Sequence, residues 1–224
     1  MNQTEMQMVP LTEAEMQSIY MTHMGHDFPP AELKPWKNIK QMLDLEQYTA
    51  YGLKDGKEIK AYAFFVKEAT AGGIWLLDYY AVCQPYRSHG YGSLFLQRMR
   101  RELADCGGIL LESERIRSAE NEEDYGIRSR RIAFYQKNGC LFTGLEACVW
   151  DVDYTILYLP MIRTDEETEM ENRPDMGKME PQNGIVIRER LELLYHIMFS
   201  PEIYARKVRV WEGGENQCLL PDFI

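Results

Sequence analysis

The residues with the clearest chemical potential lie between positions 74 and 106, where an apolar run is followed by a glycine-bearing turn. The run Ile74–Val82 carries one carboxylate, Asp78, and its short, aromatic-rich composition is typical of a strand covered on both faces. After the turn, apolar residues recur at every fourth position and predict an amphipathic helix: Phe95, Met99 and Leu103. A strand, a glycine turn and a helix in this order aim backbone N–H groups and a positive helix end at one point, which suits phosphate.

The spacing of the glycines separates the known kinds of phosphate site. The third glycine of a dinucleotide-binding fingerprint would stand where the chain has Phe95, and the Gly-Lys-Ser/Thr of a P-loop does not occur in the sequence. The sequence instead matches R/Q-x-x-G-x-G from Arg87 to Gly92, directly after a strand that ends in Ala-Val. An ordinary glycine turn that caps a core helix is the alternative interpretation.

Patterns elsewhere predict the elements around this stretch. Thr12 and Glu15 form a T-x-x-E capping box that opens a helix, and Pro35 suits the first position of a second helix. The Asp55-Gly56 dipeptide between two β-rich runs predicts a hairpin. The predicted strands cover residues 48–53, 58–66, 74–82, 109–113, 141–150 and 154–159. The helix before the last two strands is expected to be capped by Asp124 or Ser129.

This order of elements and two landmarks resemble the GNAT N-acetyltransferase superfamily over roughly residues 5–160. The first landmark is the acetyl-CoA loop, matched by Arg87 to Gly92. The second is A-x-x-x-Y-x-x-x-G-F, to which residues 132–139 are similar, so that Tyr135 and Gly139 carry over. Three flanking positions depart from the family pattern, and the cofactor contacts expected there do not carry over: Arg128, Arg131 and Cys140.

The resemblance implies an α/β (α+β) fold with a mixed, mostly antiparallel central sheet, splayed at the acetyl-CoA strand and flanked by helices. It implies acetyl-CoA as co-substrate, with its pyrophosphate on the backbone N–H groups of the glycine turn. It also implies a backbone N–H near Val82 for the acyl carbonyl. The expected cofactor-binding residues are Val82, Arg87, Ser88, His89, Gly90, Tyr91, Gly92 and Ser93.

For the chemistry, the resemblance implies that Tyr135 protonates the departing thiolate, because a phenol with a pKa of about 10 carries its proton at neutral pH. A core tyrosine on an amphipathic helix is the alternative. Asp78 is the preferred base, since alternation would place it on the same strand face as Tyr80 and Val82. A carboxylate held by backbone donors or an arginine is the other interpretation of Asp78. Glu112 on the next strand competes for the role, and a water chain could also serve.

The composition indicates which partners and which cellular compartment to expect. The net charge of −10 disfavours nucleic acid and leans toward a cationic partner. Five cysteines, an odd number without C-x-x-C spacing, predict reduced thiols in the cytoplasm and no metal site. No signal peptide and no apolar run long enough to cross a bilayer are apparent, so no membrane association is expected.

Three segments are predicted along the chain: a GNAT-like domain over 1–162, an acidic flexible linker over 163–184, and a helical C-terminal appendage over 185–224. The apolar stripe of the appendage would pack on its own domain or on a second subunit, which leaves a homodimer open.

The predicted activity is direct transfer of an acetyl group from acetyl-CoA to a primary amine on a small molecule or peptide. The acceptor is expected to be bordered by the loop over 27–36 and the last hairpin. A non-catalytic acyl-CoA sensor or interaction module on the same fold is the alternative.

Overall fold

The chain folds into two compact units in a computed structural model. Unit 1 is formed by Met1–Leu111 with Leu159–Asn172, and unit 2 by Glu112–Tyr158 with Arg173–Ile224. The residues that the structure describes are 6–30, 32–68, 72–103, 105–162 and 181–213. Most of the predicted linker therefore lies outside the described residues, and the predicted boundaries of domain, linker and appendage stay predictions.

Unit 1 contains strands β1 to β4 and the start of β5, together with helices α1 to α4. The strands are β1 (Gln7–Pro10), β2 (Tyr48–Asp55), β3 (Glu58–Val66), β4 (Ile74–Val82) and β5 (Gly108–Glu114). The helices are α1 (Glu13–Ile19), α2 (Gly25–Asp27), α3 (Trp36–Asp44) and α4 (Tyr91–Glu102), and a π-helical turn (Tyr20–Met24) joins α1 to α2. The strands follow the order β1-β2-β3-β4-β5, antiparallel except for the parallel pair of β4 and β5.

Two local predictions in unit 1 are confirmed. The Thr12 hydroxyl accepts from the backbone N–H of Glu15, whose carboxylate accepts from the backbone N–H of Thr12, so the capping box starts α1 as predicted. The hairpin of β2 and β3 turns at Gly56, whose φ of 57° suits a residue without a side chain. Every residue of β3 from Lys60 to Val66 is buried, so this strand is covered on both faces.

Unit 2 contains α5 (Glu122–Lys137), β6 (Leu141–Val149), β7 (Val152–Leu159), α6 (Pro181–Met198), α7 (Pro201–Lys207) and β8 (Val208–Glu212). Its strands follow the order β7-β6-β8 with antiparallel pairing. The predicted mixed, mostly antiparallel sheet with flanking helices is confirmed. Asn121 caps α5 by accepting from the N–H of Asp124, so the prediction of Asp124 or Ser129 as the cap is wrong; the helix begins earlier and its acidic residues fill the first turn.

The C-terminal part of unit 2 differs from the expected all-helical segment. α6 buries one apolar stripe, with Leu191, Leu194 and Tyr195 inaccessible to solvent. After α7 the chain forms β8, which pairs with β6 from Val208 opposite Val149 to Glu212 opposite Leu145. The alternation of apolar and polar residues at 208–210 was the sequence signal for this strand, but five residues after a helix are a short signal.

The start of α4 gives a test of the backbone that positions the glycine turn. Gly90 has a φ of 83°, whereas Gly92 lies inside α4. We expect Gly90→Ala to lower the free energy of unfolding by about 1–2 kcal/mol, because a Cβ disfavours the left-handed conformation. Gly92→Ala is the matched control and should leave stability unchanged or raise it by about 0.5–1 kcal/mol. Urea unfolding of both variants measures this, and equal destabilisation would contradict the backbone assignment.

Candidate functional site

A β-bulge in β4 shapes the centre of unit 1. Tyr79 pairs with Phe64 and Leu77 pairs with Phe65, so Asp78 is the extra residue between them. The side chains of Asp78 and Tyr79 consequently lie on the same side of the sheet, where both contact Lys34. Tyr80 points the other way, and its hydroxyl donates to the carbonyl of Gly92 in α4. The predicted shared face of Asp78 and Tyr80 is therefore wrong, because strict alternation fails at a bulge.

The pairing of β4 with β5 ends close to this bulge. The parallel ladder runs from Ile74 opposite Gly108 to Leu77 opposite Leu111. β4 continues to Val82, and in the described pairings its last residues are matched on the β3 side alone. A strand edge that leaves its ladder can accept an extended chain in the manner of an added strand. The end of β4 is therefore an edge of this kind on its β5 side.

The glycine turn follows β4 and ends at α4. A single 3₁₀ turn (Gln84–Tyr86) leads to Ser88 and Gly90, which have φ values of 65° and 83°. Among the described residues, the first backbone N–H after Arg87 that meets a backbone carbonyl is that of Leu94, which donates to Gly90 at 3.0 Å. The N–H groups of residues 88–93 are thus available at a helix start, and a left-handed residue before a helix forms an anion-binding concavity. Free donors therefore lie where the phosphate site is predicted, and the role of these residues stays a prediction.

Arg87 braces this turn with its side chain. Its Nε donates to the carbonyl of Val82 at 3.2 Å, and its Nη2 donates to the carboxylate of Asp27 at 2.5 Å. The Asp27 side chain is only 3% exposed and also accepts from the hydroxyl of Tyr62 at 2.7 Å. These contacts join the start of the turn to the end of β4 and to α2. His89 is exposed, and its Nδ1 donates to the carbonyl of Arg87.

Asp78 is a buried carboxylate with two side-chain partners. One oxygen accepts from Lys34 Nζ at 2.5 Å and the other from the Tyr48 hydroxyl at 2.6 Å, and the Asp78 side chain is 3% exposed. Burial, reinforced by the neighbouring Asp78 charge, raises the pKa of Tyr48 well above its usual range, so this phenol is a lasting donor. The partners of Asp78 are thus a lysine and a tyrosine, rather than the backbone donors or arginine of the alternative interpretation.

Tyr135 lies on α5 in unit 2 and is 9% exposed. Burial raises the pKa of its phenol to about 12, with the Arg131 cation opposing and Cys140 adding to the shift. Among the described residues its hydroxyl has no hydrogen-bond partner. The group is therefore a protonated phenol whose donor is not committed to another side chain.

The remaining candidates of unit 2 are held by side chains of that unit. Glu112 accepts from the hydroxyl of Tyr195 on α6 at 2.7 Å, and burial together with the Glu112 charge raises the pKa of Tyr195 well above its usual range. Arg128 pairs with Asp124 and Glu114, and Arg131 pairs with Glu114. The two arginines that replace family residues are thus engaged within unit 2.

Three residues of this network carry no signal in the sequence: Lys34, Tyr48 and Asp27. None belongs to a recognisable motif, and each is brought to its partner by tertiary packing over 30 residues or more. In the part of the chain that the structure describes, no group of three or more His, Cys, Asp or Glu side chains could hold a metal ion. Nor does any described helix combine the length and apolar character needed to cross a membrane.

Comparisons with known proteins place the fold. No family model matches the sequence, and no curated protein matches it significantly. A protein from Bacteroides thetaiotaomicron assigned to the GNAT family of acetyltransferases aligns with a TM-score of 0.54 and 18% identity, over 74% of this chain and 93% of that one. Vibrio cholerae spermidine N-acetyltransferase, in complex with CoA and spermine, aligns with a TM-score of 0.51 and 8% identity, over 70% and 96%.

The ribosomal-protein-S18-alanine N-acetyltransferase of Escherichia coli aligns with a TM-score of 0.50 and 18% identity, over 72% of this chain and 97% of that one. At these identities the likeness concerns the fold alone. The chain has the fold of the GNAT N-acetyltransferase superfamily.

Proposed function

We propose that the protein transfers an acetyl group from acetyl-CoA to a primary amine. The observation that carries this proposal is the row of available backbone N–H groups at the start of α4, in the turn that follows β4, whose ladder with β5 stops at Leu77. An anion cradle next to an open strand edge suits a ligand that joins a pyrophosphate to an extended amide arm. The CoA bound in one of the similar structures supports the same ligand.

The proposed roles of the turn follow from its backbone. The N–H groups from Ser88 to Ser93 would hold the pyrophosphate, and His89, which is exposed, would lie beside it in the same turn. Arg87 would act mainly by fixing the turn, since its guanidinium contacts Val82 and Asp27. The N–H of Val82 would polarise the acyl carbonyl.

The proposed reaction is direct. The amine nitrogen bonds to the acetyl carbonyl carbon, the carbon–sulfur bond breaks, and the sulfur leaves as a thiolate. Tyr135 would protonate that thiolate, which its raised pKa allows across the neutral range. The proton lost by the amine would pass to Asp78 or Glu112, directly or through water. Each of these carboxylates already accepts a hydrogen bond from a tyrosine, so both roles stay proposals.

The acceptor is proposed to be a small-molecule or peptide amine. One similar structure is a spermidine N-acetyltransferase and another is a ribosomal-protein-S18-alanine N-acetyltransferase. These names support a small molecule and a peptide, respectively, as acceptor classes. A spermidine N-acetyltransferase with a TM-score of 0.51 is described as dodecameric, and a homodimer of this chain, which the sequence leaves open, remains part of the proposal. A cytoplasmic location stays a prediction.

A non-catalytic acyl-CoA-binding module is the second candidate function. It is favoured by the side-chain partners of Asp78 and Glu112, because a carboxylate must give up a donor before it accepts a proton. Such a module would bind acetyl-CoA without transferring its acetyl group to any amine. Release of free thiol in the presence of an amine distinguishes the two functions.

The phosphate cradle can be tested with a charge that does not weaken the helix. Ser93→Glu places a carboxylate in the first turn of α4, where the helix dipole favours it. The same charge should weaken acetyl-CoA binding at least about tenfold, because unit charges about 5 Å apart repel by roughly 3 kcal/mol at an effective dielectric of about 20. Calorimetry with acetyl-CoA measures the dissociation constants.

Gln97→Glu is the matched control, because this exposed residue lies one turn further along α4. It adds the same charge away from the proposed phosphates and should change the affinity by about twofold or less. Equal affinities for the wild type and Ser93→Glu would contradict the proposed pyrophosphate site at the start of α4.

The proposed acid can be tested by removing one oxygen. Tyr135→Phe keeps the buried ring and should lower kcat by about a hundredfold or more, with the Kd for acetyl-CoA unchanged. Because the Tyr135 pKa is about 12, ionisation of this phenol should not reduce the wild-type rate below about pH 11. Steady-state thiol release across pH measures both effects. Tyr125→Phe on the same helix is the control, and an equal kcat for wild type and Tyr135→Phe would exclude the acid role.

A further inference from the structure

In unit 1, the backbone N–H, the backbone carbonyl and the Nζ of Lys34 each make a hydrogen bond. Its backbone N–H donates to the hydroxyl of Tyr79 at 2.8 Å, and its carbonyl accepts from the hydroxyl of Tyr20 at 3.0 Å. Its Nζ donates to Asp78 at 2.5 Å. The Tyr79 hydroxyl in turn donates to the carbonyl of Glu32. Because the backbone is fixed at both ends of the residue, departure of Nζ from Asp78 would require rotation of the side chain and no movement of the loop.

The surroundings of Nζ are those of a site for an alkylammonium ion. The buried Asp78 carboxylate supplies the charge, and Tyr48 donates to its second oxygen. The ring of Tyr79 lies 5.1 Å from Nζ, within the range of a cation–π contact, and the edge-on packing of Phe28 at 5.1 Å fixes that ring. A carboxylate and an aromatic face together recognise a compact cation.

Electrostatics restrict what can replace Lys34. Removing one partner of a buried ion pair leaves an uncompensated charge, which is strongly unfavourable. Exchange of one ammonium for another avoids that penalty, because Asp78 keeps a cation throughout. The Lys34 side chain is 19% exposed, so it already reaches solvent from this position. A neutral amine could not take part in such an exchange on equal terms.

We propose that Asp78, Tyr48 and Tyr79 form a subsite for the alkylammonium group of the acceptor, and that Lys34 fills this subsite until the acceptor displaces it. This inference rests on the proposed function and narrows its acceptors to amines that arrive as alkylammonium ions. The exchange breaks one ion pair and forms another. The exchange also explains how Asp78 can be paired with Lys34 in the absence of acceptor and still bind an incoming amine.

The test uses n-propylammonium chloride, which replaces the part of the lysine that Lys34→Ala removes. Thermal unfolding of the full chain is followed against n-propylammonium concentration, with sodium chloride at equal ionic strength as reference. Lys34→Ala should show a saturable rise in Tm. Wild type should show the same saturable effect with an apparent affinity at least about tenfold weaker, since its own lysine competes. The double variant Lys34→Ala/Asp78→Asn should show none.

Two results would overturn the proposal. The first is a Lys34→Ala response that is absent or equal to that of the double variant, because Asp78 would then not bind the cation. The second is a wild-type chain with no response at saturating n-propylammonium, because Lys34 would then be a permanent structural partner. If Lys34→Ala does not fold, Lys34→Gln replaces it, since the amide can donate to Asp78 without supplying a charge.

Calorimetry with acetyl-CoA on the same samples separates this inference from the proposed function. Acetyl-CoA binding without any n-propylammonium effect contradicts the subsite alone. An n-propylammonium site without acetyl-CoA binding contradicts the proposed function, and with it the assignment of the subsite to an acetyl acceptor.

Discussion

The single extra residue in β4 is the constraint on which the geometry of unit 1 depends. Without the bulge, Asp78 would point to the same side as Tyr80, toward α4, and would meet neither Lys34 nor Tyr48. With it, two consecutive polar side chains face the loop that carries Lys34, while Tyr80 still reaches α4. The ladder to β5 ends at the residue before the bulge, so a buried carboxylate stands where the strand edge becomes available. Bulges commonly re-aim side chains next to functional sites in this way.

Around the glycine turn, side chains bind backbone carbonyl groups, while the backbone N–H groups remain free for a ligand. Arg87 and Tyr80 place their polar groups on carbonyls, at Val82 and Gly92 respectively, and Asp27 anchors the guanidinium. These contacts use carbonyl acceptors at the end of β4 and in the first turn of α4, and they leave the N–H groups of residues 88–93 available. A phosphate ligand needs donors, so the bracing network and the proposed binding function do not compete. The same side-chain contacts explain why this exposed turn keeps a defined shape although Ser88, a non-glycine residue, has a positive φ.

The sequence was sufficient where a signal is local and insufficient where packing decides. The capping box at Thr12, the Asp55-Gly56 hairpin and the strand–turn–helix around Gly90 are each encoded within a few residues, and the structure confirms them. The bulge at Asp78 depends on register with β3, which a single strand does not reveal. The partners of Asp78 lie 30 and 44 residues away, so periodicity could place the carboxylate in a buried strand without identifying what neutralises it.

Backbone NMR of the ¹⁵N-labelled chain during titration with acetyl-CoA tests the central claim most directly, because the claim concerns backbone N–H groups. The amide resonances of Tyr91, Gly92 and Ser93 should shift strongly and saturate together. The first turn of α1 provides an internal reference, since its N-terminus is already capped by Thr12. Its amides should remain in place. Unchanged resonances at the start of α4, or equal small shifts at both helix starts, would contradict the assignment of the glycine turn as the acetyl-CoA site.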